Sequence, residues 1–180
     1  EMKLSKLYSN KPDIFPTIRF NLGLNVILAE IRLPENRNKD THNLGKTTLI
    51  HVLDFCLLKK IDKKFVMKKH GKLFEDFVFF LEIELLNNRY LTIKRGVKPA
   101  SKISIAYHDQ PDADFNKLLH MDWDHENIPI EKAKNIIDSQ LNLQALKPWT
   151  FRNIIGYLLR TQTDYSDEFQ LSKFKSKHKD

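Results

Sequence analysis

Apolar positions recur along the chain with two different periods. Leu81-Glu82-Ile83-Glu84-Leu85 and Ile103-Ser104-Ile105-Ala106-Tyr107 alternate, the two-residue period of strands with one face in a core. Residues 74 to 107 therefore predict an antiparallel meander of Phe74–Leu86, Arg89–Lys94 and Lys102–Tyr107, with Asn87-Asn88 as a hairpin turn. Three shorter strands are expected ahead of it, at Leu4–Tyr8, Thr17–Phe20 and Leu24–Ala29. Pro12 and Pro16 break the first connection, and Asn21-Leu22-Gly23 makes a turn into the third strand. Leu24 to Ala29 is an almost continuous apolar run, the pattern of a strand covered on both faces.

The helical period appears after Gly45. Leu49, Val52, Leu53 and Cys56 fall at i, i+3, i+4 and i+7, with Lys59 and Lys60 placed to complement the helix dipole. A helix near Ile130–Leu141 follows Pro129, and another opens after a Thr150 cap with a stripe of Phe151, Ile154, Ile155, Leu158 and Leu159. Glu30 to Asn43 has no period, and Asp109 to Glu126 is acidic and turn-rich. From Leu171 the chain is rich in lysine. No internal repeat is present.

Composition narrows the classes. Hydrophobic residues make up 41% of 180, enough for one globular domain or one lobe of a larger assembly. The longest apolar run, Phe77 to Leu81, has five residues, far short of the ~18 of a membrane span. A membrane is therefore not an expected partner, and a cytoplasmic chain is the simplest expectation. One cysteine, Cys56, excludes an internal disulfide and a multi-cysteine zinc site, and its place on an apolar helix face predicts a packed thiol. A net charge of +7 favours an anionic partner.

Candidate chemistry concentrates in Asp40-Thr41-His42-Asn43-Leu44-Gly45-Lys46-Thr47-Thr48. Its end matches the Gly-Lys-[Ser/Thr] of a phosphate-binding P-loop. In such a loop, main-chain N–H groups around Asn43, Leu44, Gly45 and Thr48 cradle a phosphate at a helix N-terminus. Lys46 would reach the outer phosphates of ATP, and the Thr47 hydroxyl would ligate Mg²⁺. Two features depart from the motif: Asp40 stands at the first glycine position, and Glu30 to Lys39 separates strand from loop.

Gly23-Leu24-Asn25-Val26-Ile27, followed by Asn43-Leu44-Gly45-Lys46-Thr47-Thr48-Leu49, resembles the N-terminal ATPase lobe of the SMC/RecF/RecN group, ABC-type ATPases built on long coiled coils. With its inserted loop and Asp54-Phe55-Cys56, the chain looks most like an uncharacterised bacterial SMC-like branch, the resemblance running from about Leu4 to Gln162. It implies an α/β P-loop NTPase half-domain over residues 1–162, with the meander and following helices, and a basic tail at 163–180 that opens a missing helical or coiled-coil region. It also implies that Gln162 is the Q-loop residue contacting Mg²⁺ and the attacking water. The expected partners are a C-terminal lobe from this or another chain, a second head in an ATP-dependent dimer, and DNA.

The group's second acidic motif, glycine-paired signature and switch histidine are absent from the sequence. Val78-Phe79-Phe80-Leu81-Glu82 imitates the acidic motif, but alternation continuing through Leu85 assigns it to the meander. ATP binding with negligible hydrolysis is therefore expected of this chain, which looks like a fragment or one part of a split protein.

Lysines 59, 60, 63, 64, 68, 69 and 72 crowd one segment with a single acid, Asp62. Lys59, Lys60, Lys63, Lys64, Lys68 and Lys69 are candidate contacts to DNA phosphates, or else a solvated loop. Arg19 is a weaker phosphate candidate. His108, His120 and His125 with Asp109, Asp122 and Asp124 lack ligand spacing on a helix, so no metal site is expected there. Two other readings stay open: a basic nucleic-acid- or protein-binding module with a coincidental Gly-Lys-Thr, and a small complete P-loop kinase or GTPase.

Overall fold

The computed structural model describes residues 2–26, 46–61, 65, 67, 71–117, 122–142 and 148–159. Six strands build one sheet: β1 (Lys3–Ser9), β2 (Ile18–Arg19), β3 (Val78–Glu84), β4 (Tyr90–Gly96), β5 (Lys102–His108) and β6 (His125–Pro129). Their order is β2-β1-β3-β4-β5-β6, and each neighbouring pair runs antiparallel. The described helices are α1 (Lys46–Cys56), the single turn α2 (Gly71–Phe74), α3 (Ile130–Gln140) and α4 (Phe151–Leu158).

Alternation divides the sheet into two unlike faces. Leu7, Phe79, Leu81, Ile83, Leu91, Ile93, Ile103 and Ile105 point to one side, where Leu49, Val52, Phe55 and Cys56 of α1, Ile137 of α3 and Phe151 and Ile155 of α4 join them in one core. Each such buried side chain contributes roughly 1.5–3 kcal/mol over its exposed state. The other face holds a smaller cluster of Tyr8, Phe80, Ala106 and Phe115, with Trp123 against it. A loop after β5 supplies Phe115 and folds back over this face.

The meander forms, with β3–β4 and β4–β5 in continuous register, but its first strand is shorter than the expected Phe74–Leu86. Phe74 closes α2, a turn follows at 75–76, and β3 runs only from Val78 to Glu84. A 3-10 turn at Leu86–Asn88 joins β3 to β4, and Asn88 adopts φ 55, a left-handed value that asparagine tolerates well. The expected helices at 130–141 and after Thr150 form as α3 and α4. The first amide of α4, Phe151 N–H, donates to Asp138 Oδ1 of α3 at 2.8 Å, while Asn153 Oδ1 accepts from both the N–H and Oγ1 of Thr150. These bonds satisfy donors that a helix start leaves open.

The expected strand at Leu24–Ala29 is corrected over its first half. Leu24, Asn25 and Val26 form irregular chain, and Leu24 and Val26 are 88% and 70% exposed. The cause is Asn25, whose side chain accepts the Asn21 N–H at 2.7 Å and donates to the carbonyls of Asn21 and Gly23. With Gly23 at φ 87, these bonds close the backbone into a turn. Ile27, Leu28 and Ala29 lie outside the described residues. The α/β character holds, but the described pairing is antiparallel throughout, whereas βαβ units build parallel sheets. Among the described residues no helix is long and apolar enough to cross a membrane.

Candidate functional site

The Gly-Lys-Thr-Thr sequence meets the structure at the start of α1. Lys46 and Thr47 are the first two residues of that helix, and Thr48, the third, is half-buried. The N–H groups of a first helical turn have no partner within the helix and, with the helix dipole, attract anions. The first turn of α1 holds no acidic residue to oppose them. Asn43, Leu44, Gly45 and Gln162 lie outside the described residues.

The far end of α1 is fixed by a buried polar lock. Leu58 N–H donates to Phe55 O and Lys59 N–H to Asp54 O, the paired bonds of a Schellman ending, with Leu58 at φ 65. Arg95 of β4 reaches under this turn, 2% exposed, and donates to the carbonyls of Phe55, Lys59 and Ala100. Its guanidinium lies 4.1 Å from the centre of the Phe55 ring. Burial lowers its pKa to about 10, which still leaves it charged at neutral pH. Carbonyls at the negative end of the helix dipole face that charge. Alongside, Asp54 pairs with Arg152 of α4 at 2.7 Å and with Lys59 at 2.6 Å, and Arg152 also donates to Leu57 O. α1 is thereby tied at one end to both the sheet and α4.

On the opposite face of the sheet, Glu82 is fully buried at the middle of β3. Its carboxylate accepts Ser5 Oγ–H at 2.6 Å and the N–H groups of Asp112 and Ala113 at 3.1 and 3.2 Å. His108 Nε2 lies 4.0 Å from it and 2.8 Å from Thr92 Oγ1, while Nδ1 sits 2.7 Å from Gln110 O. Lys6, also buried, donates to Ala113 O and pairs with Asp112 at 2.8 Å. Glu82 thus clasps the loop after β5 to the sheet.

The remaining candidates separate. Lys59 is engaged by Asp54, and Lys60, exposed, pairs with Glu131 at 3.2 Å. Lys63, Lys64, Lys68 and Lys69 fall outside the described residues. Arg19 is held at the sheet edge by Asp112 at 3.0 Å. The Asp112 carboxyl is held below the usual carboxylate range by its hydrogen bonds to Lys6 and Arg19. The Cys56 thiol is packed in the core as its helix face predicts, and burial pushes its pKa up to about 12.

Sequence reasoning missed the roles of Arg95, Arg152 and Glu82. The signal for two of them was available: the Leu91, Ile93 alternation carries Arg95 onto the core face, and Phe80 carries Glu82 onto the other. No protein-family model, curated protein or solved structure matches this chain.

Proposed function

We propose that the chain is the N-terminal lobe of an SMC-like, DNA-associated ABC ATPase head that binds ATP with Mg²⁺ and needs a C-terminal lobe and head pairing for turnover. The observation that carries this reading is that α1 is helical from its first described residue, Lys46, through Thr47 and Thr48, as the helix that follows a phosphate loop would be. A first turn free of carboxylates and a helix packed on the sheet support it. In this reading the main-chain amides around Gly45 and Thr48 grip the phosphates, Lys46 offsets their charge and Thr47 holds the metal. Mg²⁺, when bound, neutralises charge on the phosphate oxygens. Gln162 would orient water in the completed head.

Negligible hydrolysis by the chain alone also finds support in the structure. Glu82, the carboxylate that imitates a second acidic motif, is on the face of β3 turned away from α1, and its oxygens are engaged by Ser5, Asp112 and Ala113. It is a structural clasp with no free base.

Titration of labelled ATP into the protein and its Lys46→Ala variant, with and without Mg²⁺, tests the reading. Saturable binding that needs Mg²⁺ and weakens at least tenfold on losing the ammonium is expected, about 1.4 kcal/mol or more. Equal signals from two folded proteins, with circular dichroism confirming both, would overturn it. DNA binding indifferent to nucleotide and to Lys46 would then favour a basic binding module.

A further inference from the structure

The face of the sheet turned away from α1 is open beside the β4–β5 turn. A groove of about 140 Å³ lies there, with Gly96 at its floor and Lys94, Lys98 and Lys102 around it. Strand register creates the gap: Lys94 and Gly96 alternate with the core residues Ile93 and Arg95, and Lys102 and Ser104 with Ile103 and Ile105. Gly96 therefore leaves a hole in a layer that Tyr8, Phe80 and Ala106 fill elsewhere. A Cβ at Gly96 would come no closer than 3.9 Å to Val78 or Lys98, so the hole is real space.

The groove is also chemically unsatisfied. Ser104 lines it at 2% exposure; its Oγ accepts the Asn127 N–H at 3.1 Å, and its own proton has no acceptor among the described residues. Lys94 lies 5.2 Å from the centre of the Trp123 ring, and Lys102 has no ion pair among the described residues. Lys98 meets one carboxylate, Glu75, at 3.4 Å on the surface, a contact worth little in water. A buried hydroxyl with an unused proton, in a groove lined by three lysines, suits an oxyanion.

We propose that this groove is a subsite for a phosphate group, bound by Ser104 Oγ–H and the ammonium groups of Lys94, Lys98 and Lys102. Lysines, compact point charges on flexible stems, suit a tetrahedral phosphate approached from several sides, where a planar carboxylate would select arginine. The phosphate belongs to a nucleic-acid strand or to a small phosphate ester. The proposal does not rest on nucleotide binding at α1, which is on the other face of the sheet.

Residue-resolved NMR decides it. Inorganic phosphate titrated at constant ionic strength is expected to shift the Gly96, Ser104 and Asn127 amides saturably. That response should vanish in the Lys94→Gln, Lys98→Gln, Lys102→Gln triple variant and in Gly96→Leu, which fills the groove but keeps the charges. No saturable shift at these amides, or one surviving in either folded variant, overturns the proposal. Anisotropy with labelled single-stranded DNA separates the sources. With a strand as the source, the triple variant binds at least about tenfold more weakly at low salt, and its log–log salt slope falls by about 2. Unchanged DNA affinity beside a lost phosphate response assigns the groove to a small phosphate ester.

Discussion

At the residue scale, the turn after α1 sets two physical demands against each other. Leu58 sits at φ 65, a conformation that costs an L side chain roughly 1–2 kcal/mol, yet it is fully buried in the core. Glycine would relieve the backbone and leave a cavity, and emptying a buried leucine site costs about 2–5 kcal/mol. The second effect is the larger. Leu58→Gly is therefore expected to lower stability by about 1–3 kcal/mol in urea unfolding, without changing the helix content of the native protein. An unchanged or raised midpoint would show that backbone strain dominates at this position. The same balance explains why the turn was invisible in the sequence: left-handed helix endings are normally marked by glycine, and Leu57-Leu58 reads as continuing helix.

At the element scale, Glu82 is the buried carboxylate among several ties that hold the return loop to the sheet. Glu82→Gln keeps the shape but replaces one accepting oxygen with an NH₂ group, which then faces Ser5 Oγ–H and the Asp112 N–H or else the Ala113 N–H. A buried donor with no acceptor costs about 1–3 kcal/mol, so that loss is expected in denaturant unfolding. Faster hydrogen exchange should appear first at the Asp112 and Ala113 amides, with the β3–β4 ladder following only at global unfolding. Unchanged protection at those two amides would mean that Lys6 and Tyr8, which both reach Ala113 O, hold the loop by themselves. Elements differ in how plainly the sequence announces them. The meander was legible because seven-residue strands carry their alternation long enough to set the period. β6 was not, since His125–Pro129 buries little and owes its place to pairing with β5 and to Ser104 receiving the Asn127 N–H. At 24–26, apolar composition suggested a strand, but a local side-chain turn at Asn25 took the backbone first. In the candidate site, a helix after Gly45 could be read from the apolar period of Leu49, Val52, Leu53 and Cys56, whereas the lock at the end of α1 depends on residues far apart in sequence.

At the scale of the molecule, that lock joins the three parts of the main core. Asp54 of α1, Arg152 of α4 and the carbonyls held by Arg95 of β4 meet where little water enters, so removal of one charge strands another. Arg152→Met keeps much of the volume but leaves Asp54 with Lys59 alone and Leu57 O without its donor. Because Lys59 stays with Asp54, the loss is expected to fall below the ~3–5 kcal/mol of a buried charge left with no partner, still a sizeable part of the roughly 5–15 kcal/mol that holds a typical domain folded. A second substitution, Asp54→Asn, removes the carboxylate that has lost Arg152 and should recover part of the loss. The double-mutant cycle is therefore expected to give a coupling of about 0.5–3 kcal/mol between positions 54 and 152. Additive losses would show that α4 is held by Phe151 and Ile155 in the core, with the ion pair contributing nothing of its own. The cycle also bears on the nucleotide reading, because Gln162 follows α4 in sequence and α1 contains Lys46. If the two helices move as one body, ATP binding at the start of α1 should slow hydrogen exchange at Phe151 to Ile155 in the native protein and lose that effect in Arg152→Met.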